Sequence, residues 1–338
     1  MAMTVMGSLT AAFAPDIAVR IEGSSLVLKH FASEYAAVLD PAAEAGLDVR
    51  FTDEPYDARA VMFAGGHKTV RWTVRVLPKR PLKATIDLRG YPRPFGLSLV
   101  QGYFVEPLLS LVAIDAGLVL VPGAGIVQDD GAAILLLGRS GSGKSTLSAR
   151  ALAAGRAILG DDQVLLDGSG SLRAFPRRMR FYADLSRTSP EAYAKLSART
   201  RSALALRRIG AAATSGFVVP PVRVPVAALG PEFPHAALPL ARVVLIERGA
   251  EADDLQISHP RAEEAVELAM GIIDEQRSRI AADAPLPWLE RLEVAHGNEA
   301  AVLVRALEAC PIARYRVPLA WNARRAAVEL GRALAIAP

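Results

Sequence analysis

Cysteine is nearly absent from this sequence: Cys310 stands alone among 338 residues. A single thiol excludes an internal disulfide and points to a reducing compartment. Between Ala309 and Pro311 it reads as a small buried hydrophobe. Histidine is also scarce, and none of the five stands at metal-ligand spacing from another ligand, which argues against a zinc site. His67 and His296 read as turn residues, His235 as a loop residue and His259 as a neighbour of a helix start. A strong charge of either sign is missing too. The net charge is +4, with acids and bases interspersed, so composition makes no case for a nucleic-acid partner.

Long apolar runs are likewise broken. "LLSLVAIDAGLVLVPGAGIV" (Leu108–Val127) has the length of a membrane span, but Asp115, Gly117, Pro122, Gly123 and Gly125 interrupt it. No basic side chain precedes Arg20, so the apolar N-terminal stretch is a poor signal peptide. Half of the residues are hydrophobic and 22% are charged, enough to bury a large core. The expectation is a soluble, cytoplasmic protein with no membrane partner.

The pattern along the chain divides in two. "IAVRIEG", "LDVRF", "TVRWTVRVL" and "KATIDLRG" alternate apolar and polar residues, and "AGGHK" reads as a hairpin turn between Val61–Phe63 and Thr69–Leu77. Residues 1–103 are therefore read as a small β-rich N-terminal domain for recognition or assembly. From Phe104 strands alternate with helices, which argues for an α/β architecture over 104–338.

Chemistry concentrates in "LLLGRSGSGKSTLSARALAAGRAILGDDQVLLDG" (Leu135–Gly168). Gly138-Arg139-Ser140-Gly141-Ser142-Gly143-Lys144-Ser145 fits G-x-x-x-x-G-K-[ST], with an apolar strand before it and a helix-forming run after it. Glycines let backbone N–H groups turn inward on phosphate oxygens. The helix N-terminus adds unpaired donors and a positive dipole end. Lys144 brings a charge to the β- and γ-phosphates, the Ser145 hydroxyl is suited to Mg²⁺, and Thr146 is placed for the α-phosphate. Gly138, Ser140, Gly141, Ser142, Gly143, Lys144, Ser145 and Thr146 are thus the nucleotide-binding candidates. Transporter-type ATPases share these letters, but they require an LSGGQ-like signature and an apolar strand ending in Asp-Glu. Here "VVLIE" (Val243–Glu247) ends in a lone glutamate followed by Arg248.

Past the loop come a helix, Gly155 as its C-cap, a short strand, and Gly160-Asp161-Asp162. On "GRSGSGKS", "AAGRAIL" and "GDDQV" the chain resembles the HPr kinase/phosphorylase-like P-loop serine kinases. The family has a phosphoenolpyruvate-carboxykinase-type fold. The resemblance runs from about Glu106 to the C-terminus and is sharp over Ala132–Leu166. It implies a kinase core that uses ATP and Mg²⁺, with Asp161 as general base toward an acceptor hydroxyl and Asp162 holding Mg²⁺ with Ser145. The acceptor it implies is a hydroxyl of a protein, peptide or small molecule. Arg177, Arg178 and Arg180 are candidates for contacting the transferring phosphoryl group or an anionic acceptor. The pre-loop histidine of related kinases is replaced by Val121 or Pro122, and the E-I-R-G element is missing. These departures argue against HPr as acceptor and against a phosphorylase reaction. One alternative function stays open, an ATP-binding regulatory or assembly protein with degenerate transfer activity; self-association into a homo-oligomer is open on either reading.

Overall fold

The computed structural model describes residues 6–52, 59–213, 221–250 and 253–336. It is an α/β structure with mixed sheets. Two compact units form, Met1–Leu120 with Met270–Val302, and Val121–Ala269 with Leu303–Pro338.

In the first unit the strands are β1 (Gly7–Ala14), β2 (Ile17–Gly23), β3 (Leu47–Phe51), β4 (Val61–His67), β5 (Val70–Leu77) and β6 (Leu82–Gly90). They form one sheet in the order β1-β2-β3-β6-β5-β4. Alternation builds it: in β5, Val70, Trp72, Val74 and Val76 are buried while Arg71 is exposed. The apolar N-terminal stretch supplies β1. The β4–β5 hairpin turns at Lys68-Thr69, with Lys68 at φ 54°. Gly65 and Gly66, expected within the turn, lie instead in β4, ahead of the observed one. A Cβ on Gly65 would meet the Trp72 indole at 3.1 Å, so the glycine makes room for a cross-strand aromatic rather than a bend.

Helix α1 (Ser25–Glu34) follows β2. Helices α2 (Arg93–Val100) and α3 (Glu106–Asp115) are joined without a break by a π-helical segment, Gln101–Val105. That continuity is why the units do not divide at 103/104. Arg93–Asp115 is the one described helical run long and apolar enough to cross a membrane, and it is mostly buried within the protein. The return of Met270–Val302 is anchored by Trp288, which is buried 6.3 Å from Phe63, ring centre to ring centre. Strand β7 (Leu118–Val121) ends at the boundary.

The second unit contains strands β8 (Gly123–Val127) and β9 (Ala133–Leu137), helix α4 (Lys144–Ala153), then β10 (Ile158–Gly160), β11 (Val164–Asp167), β12 (Ser171–Arg173) and β13 (Met179–Phe181). Next come α5 (Leu185–Thr188), α6 (Pro190–Lys195), α7 (Ala198–Ala213), β14 (Val222–Val224), β15 (Leu238–Ala250) and β16 (Gln256–Ser258). Helices α8 (Ala262–Ala281) and α9 (Leu286–Leu307) each run across a unit boundary; β17 (Ile312–Pro318) and α10 (Ala323–Ala333) complete the chain. Strand β9 is buried at every residue, as expected of a central strand covered on both faces. It pairs in parallel with β15 and antiparallel with β8, and β10 pairs antiparallel with β8. On the far edge of β15 lies β17, in parallel. Leu147 and Leu152 of α4, Leu330 of α10 and Val244 of β15 share one core cluster.

Two local readings differ in detail, those of His296 and Cys310. His296 lies inside α9, where Nδ1 stands 3.0 Å from Asp274 Oδ1. His259 lies just before α8, as expected, with Nδ1 3.4 Å from the Ile312 carbonyl. Cys310 is half-buried rather than buried, and burial pushes its thiol up to about 11.

Candidate functional site

The site begins where β9 ends. Gly138 is buried, Arg139, Ser140 and Gly141 are exposed, and Ser142 is buried again. Gly143 precedes the helix at φ 105°, a left-handed conformation that costs a side-chain-bearing residue energy. It turns the chain so that the first amides of α4 open at the loop, and these have no intrahelical acceptor. At the other end, Gly155 N–H donates to Leu152 O and Arg156 N–H to Ala151 O, the paired bonds of a Schellman C-cap. Gly155 therefore closes α4 as its position suggested.

Lys144 Nζ donates to the Gly138 carbonyl, to Arg139 O at 3.2 Å and to Ser142 Oγ at 3.3 Å. Burial lowers its pKa, while Asp162 and Asp161 act in the opposite sense. The ammonium thus sits inside the loop with both acids near enough to act on it. Ser145 and Thr146 are half-buried on the first turn.

The two aspartates come from the turn after β10. A Cβ on Gly160 would stand 1.9 Å from the Gln163 carbonyl, so only glycine allows this turn to close so tightly. Asp161 follows with Oδ1 sealed from solvent and without a well-formed hydrogen bond. Burial pushes its pKa up to about 7 and the neighbouring Asp162 adds to the rise; the hydroxyls of Ser145 and Ser148 and the Lys144 ammonium oppose it. Asp162 is exposed, and its Oδ2 lies 3.8 Å from Arg177 Nη2 and 3.9 Å from Arg180 Nη1.

No family model and no curated protein matches the chain. The site therefore has to be judged by its own geometry.

Lys144, Ser145, Asp161, Asp162, Arg177 and Arg180 are brought together. Arg178 is not: its Nη2 donates to the Arg223 carbonyl on β14 at 2.8 Å. Glu247, the acid of the "VVLIE" strand, lies on the parallel neighbour of β9, but its carboxylate is engaged by Arg314 at 3.1 Å and Arg316 at 3.4 Å. Two residues join the site that the motif did not name. Gln163 Oε1 accepts from Arg177 Nη1 at 3.3 Å. Ser148, fully buried, acts on Asp161 from α4. Its signal was legible as the i+4 spacing from Lys144, which puts both on one helix face.

The donor set suits a hard cation. Among the described residues no three His, Cys, Asp or Glu side chains cluster as a metal site. Two adjacent carboxylates and a serine hydroxyl beside the Gly138–Ser145 loop would be enough for Mg²⁺, which needs few protein oxygens when waters and phosphates complete its shell. Asp162, exposed on that turn with Oδ2 3.8 Å from Arg177 Nη2, is the carboxylate open to such an ion.

Proposed function

We propose that the chain is an ATP-dependent kinase that transfers a γ-phosphoryl group to a hydroxyl of a protein, peptide or small-molecule acceptor. On this reading the second unit is a P-loop core of the HPr-kinase type. The observation that carries it is Asp161, whose Oδ1 is enclosed and whose pKa burial raises to about 7, on the same turn as Asp162, with both acids acting on Lys144. A general base works best when its pKa lies near the operating pH, and perturbed acids concentrate at sites of chemistry.

The roles follow from the chemistry of phosphoryl transfer. Loop amides and Lys144 hold the β- and γ-phosphates and spread the developing negative charge. The acceptor O–H gives its proton to the Asp161 carboxylate as its oxygen bonds to the γ-phosphorus. The bond from that phosphorus to the β,γ-bridging oxygen breaks, and ADP leaves with the electron pair. The hydroxyls of Ser145 and Ser148 act on Asp161 to favour its ionised form. Arg177 and Arg180, beside Asp162, are placed to receive an anionic phosphoryl or acceptor group. Mg²⁺, held by Asp162 and Ser145, would supply charge neutralisation on the phosphate oxygens.

The test joins calorimetric titration with Mg-ATP to a panel of hydroxyl-bearing peptides and small molecules incubated with γ-labelled ATP. Binding together with label transfer to an acceptor is expected. ATP binding that changes shape or assembly while no acceptor takes label would replace the kinase with a nucleotide-dependent regulator.

A further inference from the structure

The sheet of the first unit has two edges, and they are finished differently. Along β1 the outer side is covered: Asp40 N–H donates to Thr10 O at 3.0 Å, and Ala11 bridges to Leu39. A register irregularity between Ala12 and Ala14 also breaks its line. Strand β4, at the opposite end, pairs residue for residue with β5 from Val61 to His67 without a bulge. It carries no proline, lysine, arginine or acid, the devices that normally blunt an edge. In an antiparallel pair, alternate residues turn their backbone groups to the partner. Counting back from the Lys68-Thr69 turn, those of His67, Gly65, Phe63 and Val61 face β5, so those of Met62, Ala64 and Gly66 face away from it. Met62, Ala64 and Gly66 are exposed, and among the described residues their outward groups meet no hydrogen-bond partner.

The solvated face of the same sheet says what would lie beside that edge. Away from it the arginines are matched to acids: Arg20 stands 3.3 Å from Asp48, Arg50 2.8 Å from Glu22 and Arg89 2.7 Å from Asp87. Arg71 and Arg75 of β5 share this face, since Val70, Trp72, Val74 and Val76 turn to the core. They stand directly opposite Gly66 and Met62, and among the described residues neither is ion-paired with an acid. Arg71 already reaches the edge strand: a Cβ on Gly66 would meet its Cδ at 2.5 Å. Its Nη1 donates to the Lys68 and Val70 carbonyls, which leave its charge uncompensated.

We infer that the free edge of β4 takes an extended acidic segment of a partner protein as a further strand, with carboxylates at alternate positions on the face that carries Arg71 and Arg75. Backbone bonds to Met62, Ala64 and Gly66 would hold the strand, and the arginines would select its side chains. A second copy of this chain fits less well, because β4 brings no acid and its own β5 would add two more unmatched arginines. Nucleic acid would leave the outward N–H and C=O groups without a strand to pair. The inference is independent of the kinase reading, since it concerns binding alone.

The test uses the full chain without nucleotide. A phage-displayed random peptide library is panned on the wild type and counter-screened on Arg71→Glu/Arg75→Glu, whose unchanged thermal unfolding certifies its fold. Enriched peptides, remade synthetically, should carry Asp or Glu at alternate positions and bind more weakly as salt rises. Their affinity should fall by about tenfold or more in that variant, which should instead take the counterpart peptide with lysine at the same positions. Methylating the backbone nitrogens of alternate peptide residues should abolish binding for one set and spare the other, because only one set faces β4. Ala64→Pro, which removes an outward N–H and leaves the bonds to β5 in place, should weaken binding as well. No enrichment, peptides without alternating acids, equal binding to wild type and the arginine variant, or equal effects of the two methylation sets would each overturn the inference. So would self-association that Ala64→Pro abolishes, which would give the edge to a second copy. Stronger variant-sensitive binding of a single-stranded oligonucleotide than of any peptide would overturn it too, as a nucleic-acid contact.

Discussion

Two carboxylates in this molecule, Glu299 and the half-buried Asp161, receive opposite treatment. Glu299, fully buried in the first unit, is gripped by Arg277 through two bonds of 2.5 and 2.6 Å, and the same guanidinium is bonded to Ser110 Oγ at 2.7 Å. Burial raises its pKa and Arg277 opposes the rise. Asp161, in the second unit, has no guanidinium of its own; its immediate neighbour is another acid, and its pKa stands at about 7. A buried charge costs several kcal/mol unless paired and hydrogen-bonded. The first carboxylate has been given that compensation and holds structure together. The second has not: its Oδ1 is enclosed without a partner.

The largest effect expected from breaking this contrast is at Lys144, the nearest cation acting on Asp161. Lys144→Ala should abolish Mg-ATP binding while leaving thermal unfolding nearly unchanged, because its bonds go to the loop and not the core. Calorimetry and a melting curve read both. Unchanged ATP affinity would remove the phosphate-loop assignment.

Next in size is Glu299→Ala, which leaves Arg277 buried and unpaired. A loss of about 3–5 kcal/mol is expected for a broken buried pair, read by urea denaturation of the full chain. A loss below about 1 kcal/mol would place this pair with surface ion pairs and dissolve the comparison.

The pH dependence sharpens it. Asp161 has a pKa of about 7 when folded against 3.8 for a free side chain, so between those values the native state binds more protons than the unfolded one. Stability from this group therefore falls as pH rises from about 4 to about 7, and the penalty is constant above that. Asp161→Asn should stabilise the nucleotide-free protein at pH 8 and have little effect at pH 4. Melting temperatures of both proteins across that range test it; equal differences at both ends would contradict the raised pKa of Asp161.

The smallest effect separates the arginines. Arg177→Ala and Arg180→Ala should slow transfer, whereas Arg178→Ala should leave the rate unchanged because its guanidinium is held by the Arg223 carbonyl. Equal losses in all three would show that the recorded arrangement is not the working one.

Much of this site was legible because its signals are local. The loop, the helix, the Gly155 cap and the Gly160-Asp161-Asp162 turn each depend on backbone conformations that few residues permit. The final element was equally plain, with Asn322 Oδ1 accepting from Arg325 N–H at the start of α10. What stayed hidden depends on distant partners. "HGN" at His296–Asn298 carries turn residues, yet Trp288, Ala295, Val302 and Leu303 are buried along one continuous helix, and packing outweighs propensity. Strand β1 is built largely of small residues, which weakens its alternation. Which of three neighbouring arginines reaches Asp162 is set by the irregular backbone before β13, and no periodicity encodes that.

The central claim is that Asp161 serves the chemical step and not the fold or nucleotide binding. Asp161→Asn keeps the shape and removes the base, so one pair of numbers decides: Mg-ATP affinity and phosphoryl-transfer rate, variant against wild type. The account predicts affinity within a few-fold and a rate lower by roughly 10²–10⁴. Transfer at the wild-type rate would contradict it.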